Sequence, residues 1–352
     1  MEESILPEER VRKLASVQLV TALRPHPDPE VERLELATVQ GWQLVVAKGE
    51  VEVGQVIIYC EIDSRLPANA VWLPPAVRKR VETQPEHKRD WFRVKSIRLR
   101  GQLSQGLIVP SIPVGVGDVS VGDDVTEALG IKKYEPVSFS GKFAMCQTNS
   151  GIPFPTHLVS KTDEPRVQSN PELFAAIKDQ SFYAAVKLDG TSATYVIDPK
   201  TDEFCVCSRN YIRQRPENLD VCPYWRAAVN ENIEEKLRRN PHLAVQGEIC
   251  GPGIQKNPLK LKDIRFFVFN VIDIRNGRHA LPFDAFEASC KTLNLESVPI
   301  EEVADRFEYE TIDDVLERAK GSYASGRKRE GLVFRSWNQA ISFKAINNDY
   351  LF

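Results

Sequence analysis

Hydrophobic positions along the chain fall into two textures. From Lys13 to about Pro113 they form short runs, "LASVQLVTAL", "RLELATVQG", "WQLVVAKGE", "QVIIYCEI", "FRVKSIRLRG" and "GLIVPS", broken by Gly, Pro and Asp. Strand-length runs at near-regular spacing predict a small antiparallel barrel of five or six strands. Beyond Pro155 the elements mix. "NPELFAAIKDQ", "NENIEEKLRRN" and "TIDDVLERAKG" carry helical periodicity, the last with Thr311 placed as N-cap and Gly321 as C-cap. "RFFVFNVIDI", from Arg265 to Ile274, is almost continuously apolar and rich in β-branched and aromatic residues. That pattern predicts a strand buried on both faces. "FYAAVKLDGTSATYVID", residues 182–198, predicts a hairpin turning at Asp189-Gly190, with one lysine, Lys187, at the end of its first apolar run.

A length of 352 residues suggests two domains. The stretch "VGDDVTEALGIKKYEPVSFSGKF" closes the strand-rich part, and the Pro, Ser and Gly residues from Pro136 to Pro155 suggest a connector. The expected organisation is an OB-type β-barrel over residues 1–135, a linker over 136–155 and a mixed domain over 156–352, an α+β protein overall. The run "HPDPEVERLELATVQG", His26 to Gly41, also resembles the opening of OB modules that bind tRNA.

Composition narrows the setting. With 42% hydrophobic and 27% charged residues the chain can build sizeable cores. No run reaches the roughly 18 apolar residues of a membrane span, and Met1 to Ser16 is too charged for a signal peptide. The expectation is an intracellular protein, cytoplasmic or nuclear, not secreted and not bound to membrane. Seven cysteines without a C-x-x-C pair argue against zinc and against a disulfide framework; Cys205 and Cys207 share a strand face with no second pair nearby. The net charge of −3 conceals a local excess: Arg78 to Arg100 carries nine Lys/Arg against three Asp/Glu, with Trp91 and Phe92 inside it. Cations interleaved with aromatics suit a surface that tracks a nucleic-acid backbone and stacks bases.

Lys187 is the chemical anomaly. A lysine at the end of a buried strand is costly unless its charge is compensated or its pKa is depressed, and a depressed lysine is a nucleophile. Five further segments follow it: "SRN" (Ser208 to Asn210), "VQGEICG" with Glu248, "FFVFNVID" with Phe267 and Phe269, "REGLVFRS" with Glu330, and "ISFKAI" with Lys344. In this order they resemble the six motifs of covalent nucleotidyltransferases, which include DNA ligases, RNA ligases and mRNA capping enzymes. A hairpin turning around Trp337 to Gln339 would place Glu330 roughly opposite residues 344–347. Counting by alternation then puts it on the same face as Lys344.

The resemblance implies that the second domain is an antiparallel-sheet nucleotidyltransferase domain with flanking helices, in which Lys187 attacks the α-phosphate of ATP to form lysyl-AMP. It further implies that Asp189 and Glu330 hold Mg²⁺ or Mn²⁺, that Lys344 neutralises the α-phosphate and that Glu248 bonds the ribose. Phe267 or Phe269 would stack on adenine, and Arg209 would touch phosphate or the RNA end. The upstream "TDEPRVQ" is similar to a segment of RNA ligases whose arginine faces the nucleotide phosphates, which nominates Arg166, with Gln168 beside it. One departure is that "SFKAI" has a single lysine where many ligases show K-x-K.

Domain order separates the relatives. DNA ligases and capping enzymes carry their OB domain after the last motif, whereas here an OB-like module stands in front and eight residues follow Lys344. This organisation resembles the two-domain ATP-dependent RNA ligases. The implied activity is sealing of 3′-OH/5′-phosphate RNA ends, at nicks in duplexes with ribonucleotides on the 3′-OH side, by a monomer. The alternatives are a non-catalytic RNA-binding protein and a capping-like or DNA-ligase-like nucleotidyltransferase.

Overall fold

The computed structural model describes residues 12–86, 89–134 and 151–351. The chain divides into two compact units, 1–136 and 137–352. Most of the connector expected over 136–155 lies outside the described residues. No helix among them is long and apolar enough to cross a membrane.

The first unit contains β1 (Ala15–Leu19), β2 (Ala22–Pro25), β3 (Leu34–Val39), β4 (Trp42–Ala47), β5 (Val56–Cys60), β6 (Ser64–Pro67), α1 (Pro75–Glu82), β7 (Trp91–Arg93), β8 (Ser96–Leu99), β9 (Gln102–Gln105), β10 (Leu107–Val109) and β11 (Lys132–Lys133). The pairings of these strands are antiparallel: β1-β5-β10, β2-β3-β4, β11-β6-β7 and β8-β9. Two predicted runs are each split in two. "LASVQLVTAL" breaks after Leu19, because β1 pairs with β5 whereas β2 pairs with β3. "FRVKSIRLRG" breaks between β7 and β8 for the same reason. Strand β5 organises the interior: Ile58 and Cys60 enter one core cluster, Ile57 and Tyr59 the other. The period-two alternation of a strand thereby feeds two cores at once.

Helix α1 was not expected from the sequence. It starts with Pro75 in its first turn and buries Val77 and Val81, one helical turn apart, leaving Lys79 and Arg80 outside. The aromatics of the basic stretch have partners within the unit. Arg65 and Lys132 stack on the Trp91 ring at 4.8 and 5.4 Å, and Phe92 packs against the core. Alternation within β7 turns Phe92 inward, and cation–π contacts occupy the ring that remains.

The second unit contains α2 (Pro171–Ile177), β12 (Phe182–Lys187), β13 (Thr191–Ile197), β14 (Phe204–Cys207), α3 (Pro223–Asn230), α4 (Ile233–Arg238), β15 (Leu243–Cys250), β16 (Arg265–Asp273), α5 (Phe283–Leu293), β17 (Ile300–Ala304), α6 (Ile312–Arg318), β18 (Gly331–Ser336) and β19 (Ser342–Ile346). Two antiparallel sheets, β17-β12-β18-β19 and β14-β13-β15-β16, share one large core. Three of its helices answer to the predicted segments, and α3 and α5 were missed. Thr311 caps α6 through a capping box with Asp314. The C-cap, however, is Ala319 and not Gly321, which stands two residues further on at φ +141°. Cys205 and Cys207 are buried free thiols of β14.

Residues 182–198 do not form a hairpin. β12 and β13 lie in different sheets, so the turn at Asp189-Gly190 carries the chain across from one to the other. Gly190 makes this crossing close: a Cβ there would lie 2.3 Å from the Ile249 carbonyl oxygen and 2.9 Å from the Glu248 side chain. Apolar alternation is the same in a hairpin and in two strands that part company, which is why the pattern did not distinguish them. Gly190→Ala is therefore expected to destabilise the protein by about 1–3 kcal/mol, the usual cost of overpacking. Urea unfolding should show a lower midpoint with unchanged slope.

Candidate active site

Lys187 ends β12 with its side chain about one quarter exposed, and its Nζ lies 2.7 Å from Glu330 Oε2. Two other carboxylates converge on it. Asp189 follows after one residue, and Glu248 of β15 accepts a hydrogen bond from the Gly190 backbone N–H at 3.1 Å. Tyrosines fix the frame. The Tyr323 hydroxyl donates to the Lys187 carbonyl at 2.9 Å and accepts from the Glu330 N–H at 3.0 Å. The Tyr350 hydroxyl, in the turn Asn348–Leu351, donates to Asp189 Oδ2.

These neighbours reset the proton affinities. Burial pulls the Lys187 ammonium down, but Glu330, Glu248 and Asp189 outweigh it and hold its pKa above the ordinary lysine value. Of the two routes open to a lysine at a buried strand end, a compensated charge or a depressed pKa, the structure takes the first. Burial pushes Glu248 up to about 8, opposed by Lys187 and reinforced by Glu330 and Asp189. Asp189 is raised as well, by burial first and Glu330 second.

Glu330 reaches Lys187 by a route that alternation did not foresee. The ladder pairs Val333 with Lys344 and with Ala185, so Lys344 and Lys187 project from the same sheet face. Strict alternation back from Val333 turns Glu330 to the opposite face. Glu330, however, precedes the first ladder residue, Gly331, whose φ is +154° and where a Cβ would stand 2.1 Å from the Ala345 carbonyl oxygen. At that strand end the Glu330 backbone lies opposite Asn347, whose N–H bonds its carbonyl at 2.9 Å. Glu330 thereby comes to the face that carries Lys187 and Lys344, as expected, but it pairs with Lys187 and not with Lys344.

Lys344 has a different partner. Its Nζ is 3.8 Å from Asp163 Oδ1, while Arg209 Nη2 donates to Asp163 Oδ2 at 2.5 Å. Arg166 runs alongside as a parallel bridge to Lys344, whose N–H bonds the Pro165 carbonyl at 2.8 Å. Arg166, Arg209 and Lys344 are therefore gathered about the segment 163–166, with Asp163 between Arg209 and Lys344. Gln168 is buried in the following turn. Of the two positions flanking Lys344 in a K-x-K pattern, Ser342 donates to Glu164 and Ile346 is buried opposite Gly331.

The two phenylalanines part company. Phe267 lies directly across from Glu248 and is 5% exposed. A bulge pairs Gly247 with Val268 and Gln246 with Asn270, leaving Phe269 as the extra residue, half-buried with Arg335 5.9 Å from its ring centre. Strict alternation would put residues two apart on one face, and the bulge shifts that alternation by one. Asp273 ends β16 in a pair with Arg275 and takes no part in the cluster.

Asp163, Tyr323 and Tyr350 were not singled out from the sequence. Asp163 stands inside the "TDEPRVQ" segment that was, whereas neither tyrosine carries a local signal. The donor set fits a hydrated Mg²⁺ or Mn²⁺: Asp189 and Glu330 offer hard oxygen atoms, and such ions keep several waters. Among the described residues no group of three or more His, Cys, Asp or Glu side chains is placed to hold a metal ion by itself.

Comparison with known proteins places this geometry. A family model described as RNA ligase matches residues 180–346, and an OB-fold domain model matches 14–111. No curated protein matches the chain. The structure is similar to a lysine-to-methionine mutant of Naegleria gruberi RNA ligase with AMP and Mn, at TM-score 0.84 and 34% identity over 97% of this chain and 98% of that one. It is equally similar to the Naegleria gruberi RNA ligase with PPi, at 0.84 and 36% over 97% and 98%. A lysine-to-alanine mutant with ATP and Mn gives 0.83 and 34% over 96% and 98%. With a third of its residues identical over nearly the whole length of both chains, and with an α+β architecture that sets an OB-fold domain before the ligase domain, this chain belongs to the RNA ligase family.

Proposed function

We propose that the protein uses ATP to seal 3′-OH/5′-phosphate RNA ends, at nicks in duplexes, through lysyl-AMP and RNA-adenylate intermediates. The observation that carries this reading is Lys187, held at a strand end among Asp189, Glu248 and Glu330. The solved relatives support it, being described with ATP, AMP, PPi and Mn.

In the first step the Lys187 amine attacks the α-phosphorus in line, an N–P bond forms, and the bond to the β-phosphate oxygen breaks to release pyrophosphate. Lys344, Arg166 and Arg209 supply fixed positive charge on the phosphates. A divalent cation on Asp189 and Glu330 neutralises phosphate charge when bound. Carboxylates engaged by such an ion would no longer favour the ammonium, and burial would then lower the Lys187 pKa toward the neutral nucleophile. Glu248 bonds the ribose, and Phe267, on the same sheet face, stacks on adenine in preference to Phe269. AMP next passes to the RNA 5′-phosphate, and attack by the 3′-OH expels it.

Incubation with α-labelled ATP and Mn²⁺ or Mg²⁺, followed by denaturing electrophoresis, is expected to label the wild type covalently and leave Lys187→Ala unlabelled. An unlabelled wild type, first stripped of bound AMP with pyrophosphate, would defeat the proposal. Label from GTP in place of ATP would favour capping-like chemistry.

Stability should follow the acids. Folded Glu248 keeps its proton up to about pH 8, against 4.5 ordinarily, so its contribution is fully present below that lower value and is lost as pH rises through 8. Asp189 shifts in the same direction. Glu248→Gln retains an acceptor for Gly190 but cannot ionise. Its melting temperature should gain on the wild type between about pH 6 and pH 9; a constant gap across that range would refute the assignment.

On the first unit, Arg98 and Arg100 are exposed on the β8–β9 hairpin. Replacing both with Gln should weaken binding to nicked RNA duplex and flatten the dependence of log K on log salt by about 0.9 for each phosphate no longer neutralised. An unchanged salt titration would exclude that surface.

A further inference from the structure

The connection from β15 to β16, residues 251–264, joins neighbouring antiparallel strands that a two-residue turn could join. It is longer than the topology needs and unusual in its backbone. Gln255, Asn257 and Lys260 all have left-handed φ, at 46°, 45° and 55°, a region that residues other than glycine rarely enter. Such clusters persist only where surrounding contacts impose them.

Those contacts are present. Gln255 Nε2 donates to the Gly190 carbonyl at 3.2 Å, which ties the loop to the turn that follows Asp189. Asn257 exchanges two hydrogen bonds with Leu261, at 2.9 and 3.1 Å. The segment before Glu330 is clasped from both sides: Ser325 Oγ donates to the Pro258 carbonyl at 2.6 Å, Lys260 Nζ to the Ser325 carbonyl at 3.0 Å, and Arg327 Nη1 to the Lys256 carbonyl at 3.4 Å. Two segments flanking the catalytic lysine are thereby joined into one shelf.

The shelf is cationic. Lys256, Lys260, Lys262, Arg327 and Lys328 are all exposed, and the loop's one acid, Asp263, is engaged by Arg226 at 3.0 Å. Lys256 stands near enough to Asp189 for its charge to act on that carboxyl. Like charges gathered on a rigid surface repel one another and attract a polyanion.

We propose that Lys256, Lys260 and Lys262, with Arg327 and Lys328, form a phosphate-binding shelf that holds the RNA backbone at the mouth of the Lys187 site. The proposal rests on the RNA-sealing reading above and assigns the shelf to the RNA-dependent steps, not to the binding of ATP. Phosphates of RNA and the triphosphate of ATP share one chemistry, so the test separates them.

The full-length protein carrying Lys256→Ala and Lys262→Ala keeps the Lys260–Ser325 bond. Its affinity for nicked RNA duplex should fall about tenfold near 0.1 M salt, and the slope of log K against log salt should drop by about 1.4–1.8 for two phosphates left without a lysine. The ATP concentration for half-maximal covalent labelling should stay within about twofold of the wild type, since removal of a cation from the triphosphate would appear there as a much larger change. Replacing both lysines with Arg should restore RNA binding, and Lys200→Ala, an exposed lysine elsewhere in this unit, should change neither quantity. A raised ATP requirement with unaltered RNA binding would transfer the shelf to the triphosphate and overturn the proposal. Unaltered RNA binding and salt slope with normal labelling would overturn it too. Failure of the wild type to label would instead strike the ligase reading, because the RNA titration needs no ATP.

Discussion

One ammonium among three carboxylates organises the candidate active site. Asp189, Glu248 and Glu330 crowd one another around Lys187, and burial raises the cost of their charge, so Glu248 is pushed up to about 8 and Asp189 is raised. A cation must stand between them for more than one to ionise. Lys187, 2.7 Å from Glu330, is that cation. Lys187 is therefore held in its charged form, and two of the carboxylates around it, Asp189 and Glu330, offer the hard oxygen atoms that suit a divalent ion.

Around this acidic centre the fold keeps a separate basic zone. Lys344, Arg209 and Arg166 gather beside Asp163, which absorbs part of their mutual repulsion. Lys344 and Lys187 project from one sheet face, as the proposed transfer of a phosphate-bound nucleotide requires. Close backbone approaches make the geometry possible. Gly190 allows the crossing between sheets to press on β15, and Gly331 lets Glu330 leave strand alternation and meet Lys187. Tyr323 and Tyr350 then brace the Lys187 backbone, the Glu330 amide and the Asp189 carboxylate.

Much of this protein is legible along the chain. Alternating runs marked the strands of the first unit and the apolar stretch of β16, and the Thr311 cap marked α6, because each depends on residues close together in sequence. Six spaced motifs nominated Lys187, Asp189, Glu248, Glu330 and Lys344 together, since the chemistry of nucleotidyl transfer restricts residue type at each place. Relations across long separations were settled only by tertiary packing. The pair formed by Lys187 and Glu330 spans 143 residues and that of Asp189 with Tyr350 spans 161. Separation of β12 and β13 into two sheets, the bulge at Phe269 and the upward shift of Lys187 follow the same rule. Periodicity reports which face a residue takes relative to its sequence neighbours, whereas electrostatic fields, bulges and sheet membership are set by whichever distant strand arrives beside it.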